Sequence, residues 1–171
     1  MENKESPLYK HKFGETKNKV KEFADVMYPI FSEVLGEMGL PQELAKNLTK
    51  QAALESGYGL SPRGAQGFNL GGIKYFGDKD YQGTKHSDGN EYTDFNNLRD
   101  YAQYVVKLLA NKYGITESMS DKEFVDRLHG KNPSGANYSA SYGKYQQTFG
   151  NMKSLDRSIN EIINSQLLAQ S

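Results

Sequence analysis

The chain has 171 residues, no cysteine, and 21 basic against 21 acidic side chains, for a formal net charge of +0. That length suits one domain with a sizeable core. The charge balance argues against a nucleic-acid binder working by bulk charge, and the missing cysteines exclude disulfides, thiolate zinc sites and cysteine nucleophiles.

In chain order, "MENKESPLYKHKFGETKNK" is polar and holds no apolar signal-peptide core. Residues 1–15 are expected as a flexible basic arm, with 16–171 as a single domain. "KNKVKEFADVMYPIFSEVLGEMG" has helical spacing in Val20, Phe23, Val26, Met27, Ile30, Phe31 and Val34, with Pro29 expected to kink or divide it. No apolar run approaches the ~20 residues of a membrane span.

A second helix is expected from Pro41 through "QELAKNLTKQAALE". At roughly 100° per residue, Leu44, Leu48, Gln51 and Glu55 fall within about 60° of one another, while Lys46, Lys50, Gln42 and Glu43 take the other side. Glu55 thus projects from the core-facing stripe in the last turn, just before Gly57 and Gly59. Desolvation and the negative end of the helix dipole both raise the pKa of such an acid. An acid held protonated near neutral pH is what glycoside cleavage requires of its general acid. The other reading is an acid at the rim of the core, paired with an arginine or capping a loop.

"GYGLSPRGAQGFNLGGIKYFGDKDYQG" is glycine-rich loop, with a short strand at "GGIKYF". "TKHSDGNEYTDF" reads as a hairpin turning at "DGN". "NNLRDYAQYVVKLLANKYG" is a helix with Leu98, Tyr101, Ala102, Val105, Leu108 and Leu109 inward, stopped by Gly114. "SDKEFVDRLHG" carries a capping box, Ser120 with Glu123. "NPSGANYSASYGKYQQTF" opens as loop and becomes helix, and a last helix runs over 155–169. The sum is a mostly helical domain with a small β-hairpin lobe, and a cleft between such lobes suits a polymer.

Tyr58, Tyr75, Phe76, Tyr138, Tyr142 and Tyr145 cluster near the loops, where they either stack on sugar rings or fill the core; Tyr138 and then Tyr58 are the foremost candidates for substrate. "DKDYQG" opens like a calcium loop, but the twelfth position from Asp78 is Gly89 where glutamate is required. His11, His86 and His129 show no metal spacing.

Four blocks, "QAALESGYG", "NLGGIKYFG", "YTDFNNLRDYAQYVVKLL" and "NPSGANYSASY", resemble in this order the signature blocks of the glucosaminidase-type peptidoglycan hydrolases, glycoside hydrolase family 73. That family includes the flagellar-rod domain, autolysins and phage lysins. The resemblance implies an α+β, mostly helical, lysozyme-like fold with a β-hairpin lobe beside the active-site cleft. It implies endo-β-N-acetylglucosaminidase activity on the β-1,4 bond between N-acetylglucosamine and N-acetylmuramic acid, with no cofactor or metal. Peptidoglycan glycan strands are then the partner, and the cell wall, the extracellular space or a phage virion the place of action. The family's catalytic glutamate falls on Glu55 and its N-L-x-G-I-K block on Asn69, Leu70, Gly72, Ile73 and Lys74. Its tyrosine falls on Tyr138. Expected substrate-binding residues are Tyr138, Tyr58, Asn69, Lys74 and Tyr75.

The hairpin departs from the family pattern. A Thr-Glu-Tyr run is often found in its first strand, but here that strand reads "GTKHSDG". The second carboxylate is then Glu91 or Asp88, or it is absent and the substrate's N-acetyl group assists. Other readings are a muramidase or lytic transglycosylase of the same fold, and a non-catalytic glycan-binding or virion structural module.

Overall fold

The computed structural model describes residues 6–170. Its longest helix, α1 (Lys19–Glu37), buries Phe23, Met27, Ile30, Phe31 and Val34 along one face. Pro29 lies inside this helix, which continues through it undivided. An interior proline costs about 3 kcal/mol. The apolar face of α1 packs on α2 (Leu44–Ser56), α4 (Leu98–Tyr113) and α7 (Lys153–Gln170), and that burial outweighs the cost.

Helix α2 is the centre of the molecule, touching α1, α6 (Tyr142–Gly150) and α7. Because it is enclosed on several sides, its lysine face is not all solvent. Lys50, expected outward, is 0% exposed. Its ammonium lies 2.7 Å from Asp121 and 3.0 Å from Asp156, and 4.8 Å above the Phe149 ring. Ion pairing makes such burial tolerable.

Part of the stretch expected as loop is instead a short helix, α3 (Pro62–Gly67), nucleated by Pro62 and by Ser61, whose hydroxyl accepts the Gly64 N–H at 3.1 Å. The expected hairpin forms from β1 (Gln82–Lys85) and β2 (Glu91–Asp94), antiparallel, with Gln82 opposite Asp94 and Lys85 opposite Glu91. The stretch "GGIKYF" contributes only a bridge, Lys74 to Tyr92, flanked by Thr93 N–H to Ile73 O at 2.9 Å and Tyr75 N–H to Glu91 O at 3.0 Å. Helix α4 is capped by the Asn97 side chain and stops at Gly114, and α5 (Asp121–Arg127) carries the complete capping box of Ser120 and Glu123.

Residues 1–5 of the expected arm lie outside the described residues. Residues 6–15 instead pack against the body. Pro7–Lys10 forms a 3-10 turn, Tyr9 is buried and donates to Glu33 at 2.6 Å, and Phe13 lies against Phe23 and Gly59. Two aromatic side chains in a polar segment are enough to anchor it.

Candidate active site

Helix α2 ends where Gly57 turns left-handed at φ 58°, a conformation that suits a residue without Cβ. Ser56 locks the turn: its hydroxyl donates to Ala52 O at 2.6 Å and accepts the Gly59 N–H at 2.8 Å. This leaves Glu55 in the last turn with its carboxyl turned into the protein. Burial pushes its pKa up to about 7, while the Tyr145 hydroxyl and the Arg63 guanidinium pull the other way. The negative end of α2 adds to the upward push.

Opposite the carboxyl stands the backbone of Gly72, itself left-handed at φ 64°. A Cβ there would sit 3.8 Å from Glu55 Oε1 and 3.9 Å from Arg63 Nε. Glycine keeps this approach open. Arg63, on α3, reaches the Glu55 carbonyl at 3.4 Å and lays its guanidinium 4.7 Å from the centre of the Tyr92 ring. Tyr92 donates to Asp88 at 2.5 Å, and Asp88 also accepts the Asn90 N–H at 2.9 Å.

Behind Glu55 three tyrosines converge from separate elements: Tyr101 of α4, Tyr138 of the loop after α5, and Tyr145 of α6. Burial is the main cause that raises all three phenols, and the charge of Glu55 contributes to each. Gln51, one turn before Glu55, is 1% exposed. Among the described residues, its amide, the Tyr101 and Tyr145 hydroxyls and Arg63 Nε complete no hydrogen bond of regular geometry. Buried polar atoms without partners are costly and uncommon in folded proteins. Their concentration around one raised carboxyl sets this region apart from the packed core.

The structure sorts the expected residues. Tyr138 is at the site, its hydroxyl donating to Gly71 O at 2.7 Å. Asn69, expected to touch substrate, is 1% exposed and wholly committed to the backbone. Its amide N–H groups bond Ile73 O at 2.8 Å and Thr93 O at 2.9 Å, and its oxygen accepts from Gly71 and Ile73. With two donors and two acceptor positions occupied it pins the Gly71–Ile73 turn and has nothing left to offer a ligand. Tyr58, expected near substrate, packs edge-on against Phe23 at 5.7 Å, on the α1 side. Lys74 is exposed, and Tyr75 turns its hydroxyl to Asp78 O at 3.2 Å.

The two candidate carboxylates separate. Successive strand residues face opposite sides, so Glu91 points away from Tyr92, and its Oε2 lies beside Gly83 and the Tyr75 ring. Asp88 is joined through Tyr92 to the Arg63 side. Its pKa is lowered, first by the Tyr92 hydroxyl and then by the Asn90 N–H.

No motif marks Arg63, and its one signal in the sequence is that it is the sole charged residue between Glu55 and Lys74. Asp78 forms a local turn, accepting the Asp80 N–H at 2.9 Å. No group of three metal-binding side chains occurs among the described residues. The histidines lie apart: His11 on Glu22 at 2.6 Å, His86 against Tyr92, and His129 on Val125 O at 2.7 Å.

No protein-family model matches the chain, and no curated protein sequence does. Solved structures do match. The glycoside hydrolase domain of Salmonella typhimurium FlgJ superposes with TM-score 0.61 at 18% identity, over 88% of this chain and 96% of that one. A peptidoglycan hydrolase from Sphingomonas sp. A1 gives 0.60 at 21%, over 82% and 94%. The catalytic domain of the Listeria monocytogenes autolysin Auto gives 0.57 at 20%, over 86% and 88%. With its helical body and single hairpin lobe, the chain has the lysozyme-like fold of these glycoside hydrolase family 73 neighbours.

Proposed function

We propose that the chain is a peptidoglycan hydrolase, an endo-β-N-acetylglucosaminidase in which Glu55 is the general acid. The observation that carries this reading is the Glu55 carboxyl, pushed up to about 7 at the end of a buried helix and facing the open backbone of Gly72. The fold it shares with a peptidoglycan hydrolase and with a glycoside hydrolase domain supports it.

In the reaction, Glu55 donates its proton to the glycosidic oxygen as the bond from that oxygen to C1 breaks. The oxygen leaves as a hydroxyl, and positive charge develops on the sugar. Asp88 is a weak base because Tyr92 and the Asn90 N–H hold its anion. The sugar's own N-acetyl oxygen therefore closes on C1, and water then opens that intermediate, returning a proton to Glu55. Tyr138 fixes the Gly71–Gly72 backbone against which the sugar lies.

A one-acid mechanism also serves a lytic transglycosylase, and that second reading is favoured by the lack, among the described residues, of a second carboxylate bonded to Glu55. Incubating purified cell walls with the wild type and Glu55→Gln tests both. The expected result is loss of turbidity with the wild type alone and, by mass spectrometry, hydrated N-acetylglucosamine reducing ends. Products lighter by one water would select the transglycosylase. No lysis by the wild type on any wall would sink the enzyme reading.

A further inference from the structure

Away from the Glu55 carboxyl, a cavity of about 710 Å³ runs along the outer face of α4. Gln103, Tyr104, Lys107, Leu108 and Asn111 line its floor at helical spacing. Eight residues of helix measure about 12 Å, the span of three to four residues of extended peptide. This explains why Leu108, read as a core position, is only half-buried.

The two ends of the groove carry opposite charge. Asp78 and Asp80 line it where Tyr81 packs on Tyr104, their ring centres 6.0 Å apart. Lys107 stands one turn along, and Lys112 closes the far end, where Ser134 donates to the Lys112 carbonyl at 2.8 Å. Among the described residues neither Asp80 nor Lys107 has an ion-pair partner, though both line one cavity. A neutral glycan has no use for such a pair of ends. A short peptide that carries a side-chain ammonium and separate carboxylates does.

Buried rings join the groove to the Glu55 site. Tyr113, next to Lys112, meets Tyr138 at 5.8 Å, and Ser134 and Tyr138 belong to the same loop. At the acidic end, Tyr81 packs on Phe95, and Phe95 on Tyr101.

We propose that this groove binds the short peptide that peptidoglycan carries on its muramic acid, with the peptide's ammonium at Asp78 and Asp80 and a carboxylate at Lys107 and Lys112. The proposal rests on the peptidoglycan reading of the Glu55 site. It makes the protein a reader of peptide-bearing strands rather than of bare glycan.

The probe is N-acetylated L-alanyl-γ-D-glutamyl-L-lysyl-D-alanine, titrated calorimetrically into the wild type, Lys107→Glu and Asp80→Lys at low salt. Wild-type binding should weaken by about five-fold or more in each variant, as for the loss of one good charge pair. It should also weaken when the peptide's lysine is acetylated and when salt is added. On intact walls both variants should raise KM with kcat unchanged, while on strands stripped of peptide all three proteins should act alike. No peptide binding by the wild type, or binding by both variants as tight as the wild type's, would overturn the proposal even if the walls are lysed. A wild type that binds the peptide but cleaves neither substrate would instead overturn the hydrolase reading and leave the groove standing.

Discussion

Tyr138 donates its hydroxyl to the Gly71 carbonyl at 2.7 Å, tying the loop after α5 to the turn that faces Glu55. The two residues are 67 positions apart in the chain, so the bond fixes the distance between separately placed elements of the site. Its loss should therefore be felt more in catalysis than in folding.

Tyr138→Phe removes the bond and keeps the ring. A single hydrogen bond is worth about 1 kcal/mol, which in a chain of this size lowers Tm by roughly 2–4 °C. Wall lysis should fall about ten-fold, because misplacement of the Gly72 backbone acts on the transition state. Tyr138→Ala should lose the packing as well and cost several kcal/mol. A Tyr138→Phe protein of full activity would make the tyrosine purely structural.

Glu55→Gln should reduce lysis by about 10²–10⁴-fold. Its effect on stability should depend on pH. The folded state holds the Glu55 proton up to about 7, against 4.5 for an ordinary glutamate carboxyl, so between these values the folded chain binds more protons than the unfolded one. Stability contributed by the neutral acid is complete below 4.5 and lost as pH rises through about 7. Glutamine suffers no such loss. The variant should match the wild type at pH 4, and at pH 8 exceed it by at most about 3 kcal/mol. Urea titrations at the two pH values decide this; equal stability differences at both would mean that Glu55 is not held protonated.

Removing either group that favours the Glu55 anion should move the alkaline limb of the pH–rate profile upward. Tyr145→Phe and Arg63→Gln are the two variants, since Tyr145 and Arg63 both lower the Glu55 pKa. The measurement is kcat/KM on cell walls from pH 5 to 9. A downward shift in either variant would reverse the assigned electrostatics.

Asp88→Asn and Glu91→Gln should each slow lysis by no more than about five-fold, since a working general base is worth 10²–10⁴-fold. Glu91 faces Gly83 and Tyr75, and Asp88 is held by Tyr92 and Asn90. A hundred-fold loss in Asp88→Asn would restore a two-carboxylate mechanism.

Lys50→Ala should destabilise the fold by about 3 kcal/mol or more, leaving Asp121 and Asp156 without their shared cation and a hole beside Phe149. Lys50→Met, which refills the space, should cost less. Urea denaturation of the two proteins compares them.

The sequence by itself determined the long helices, several of their caps and the hairpin, because these follow from spacing within one segment: Gly57 after Glu55, Ser120 with Glu123, and the turn at Asp88–Asn90; the short helix α3, without an apolar period, reads as loop. It also placed Glu55 on an inward stripe. Tertiary structure decided everything that depends on how many neighbours an element has. A helical wheel assumes one wet face, and α2 lacks a continuous one, so Lys50 is buried in an ion-pair network. Asn69 occupies a motif position, yet its four bonds to the backbone spend it on the turn. The raised Glu55 carboxyl owes its state to burial, which Tyr145 and Arg63, from two other segments, partly offset. The surroundings of Glu55 are set by the packing of α6 on α2 and of α4 on α1, and no local pattern in the chain encodes that.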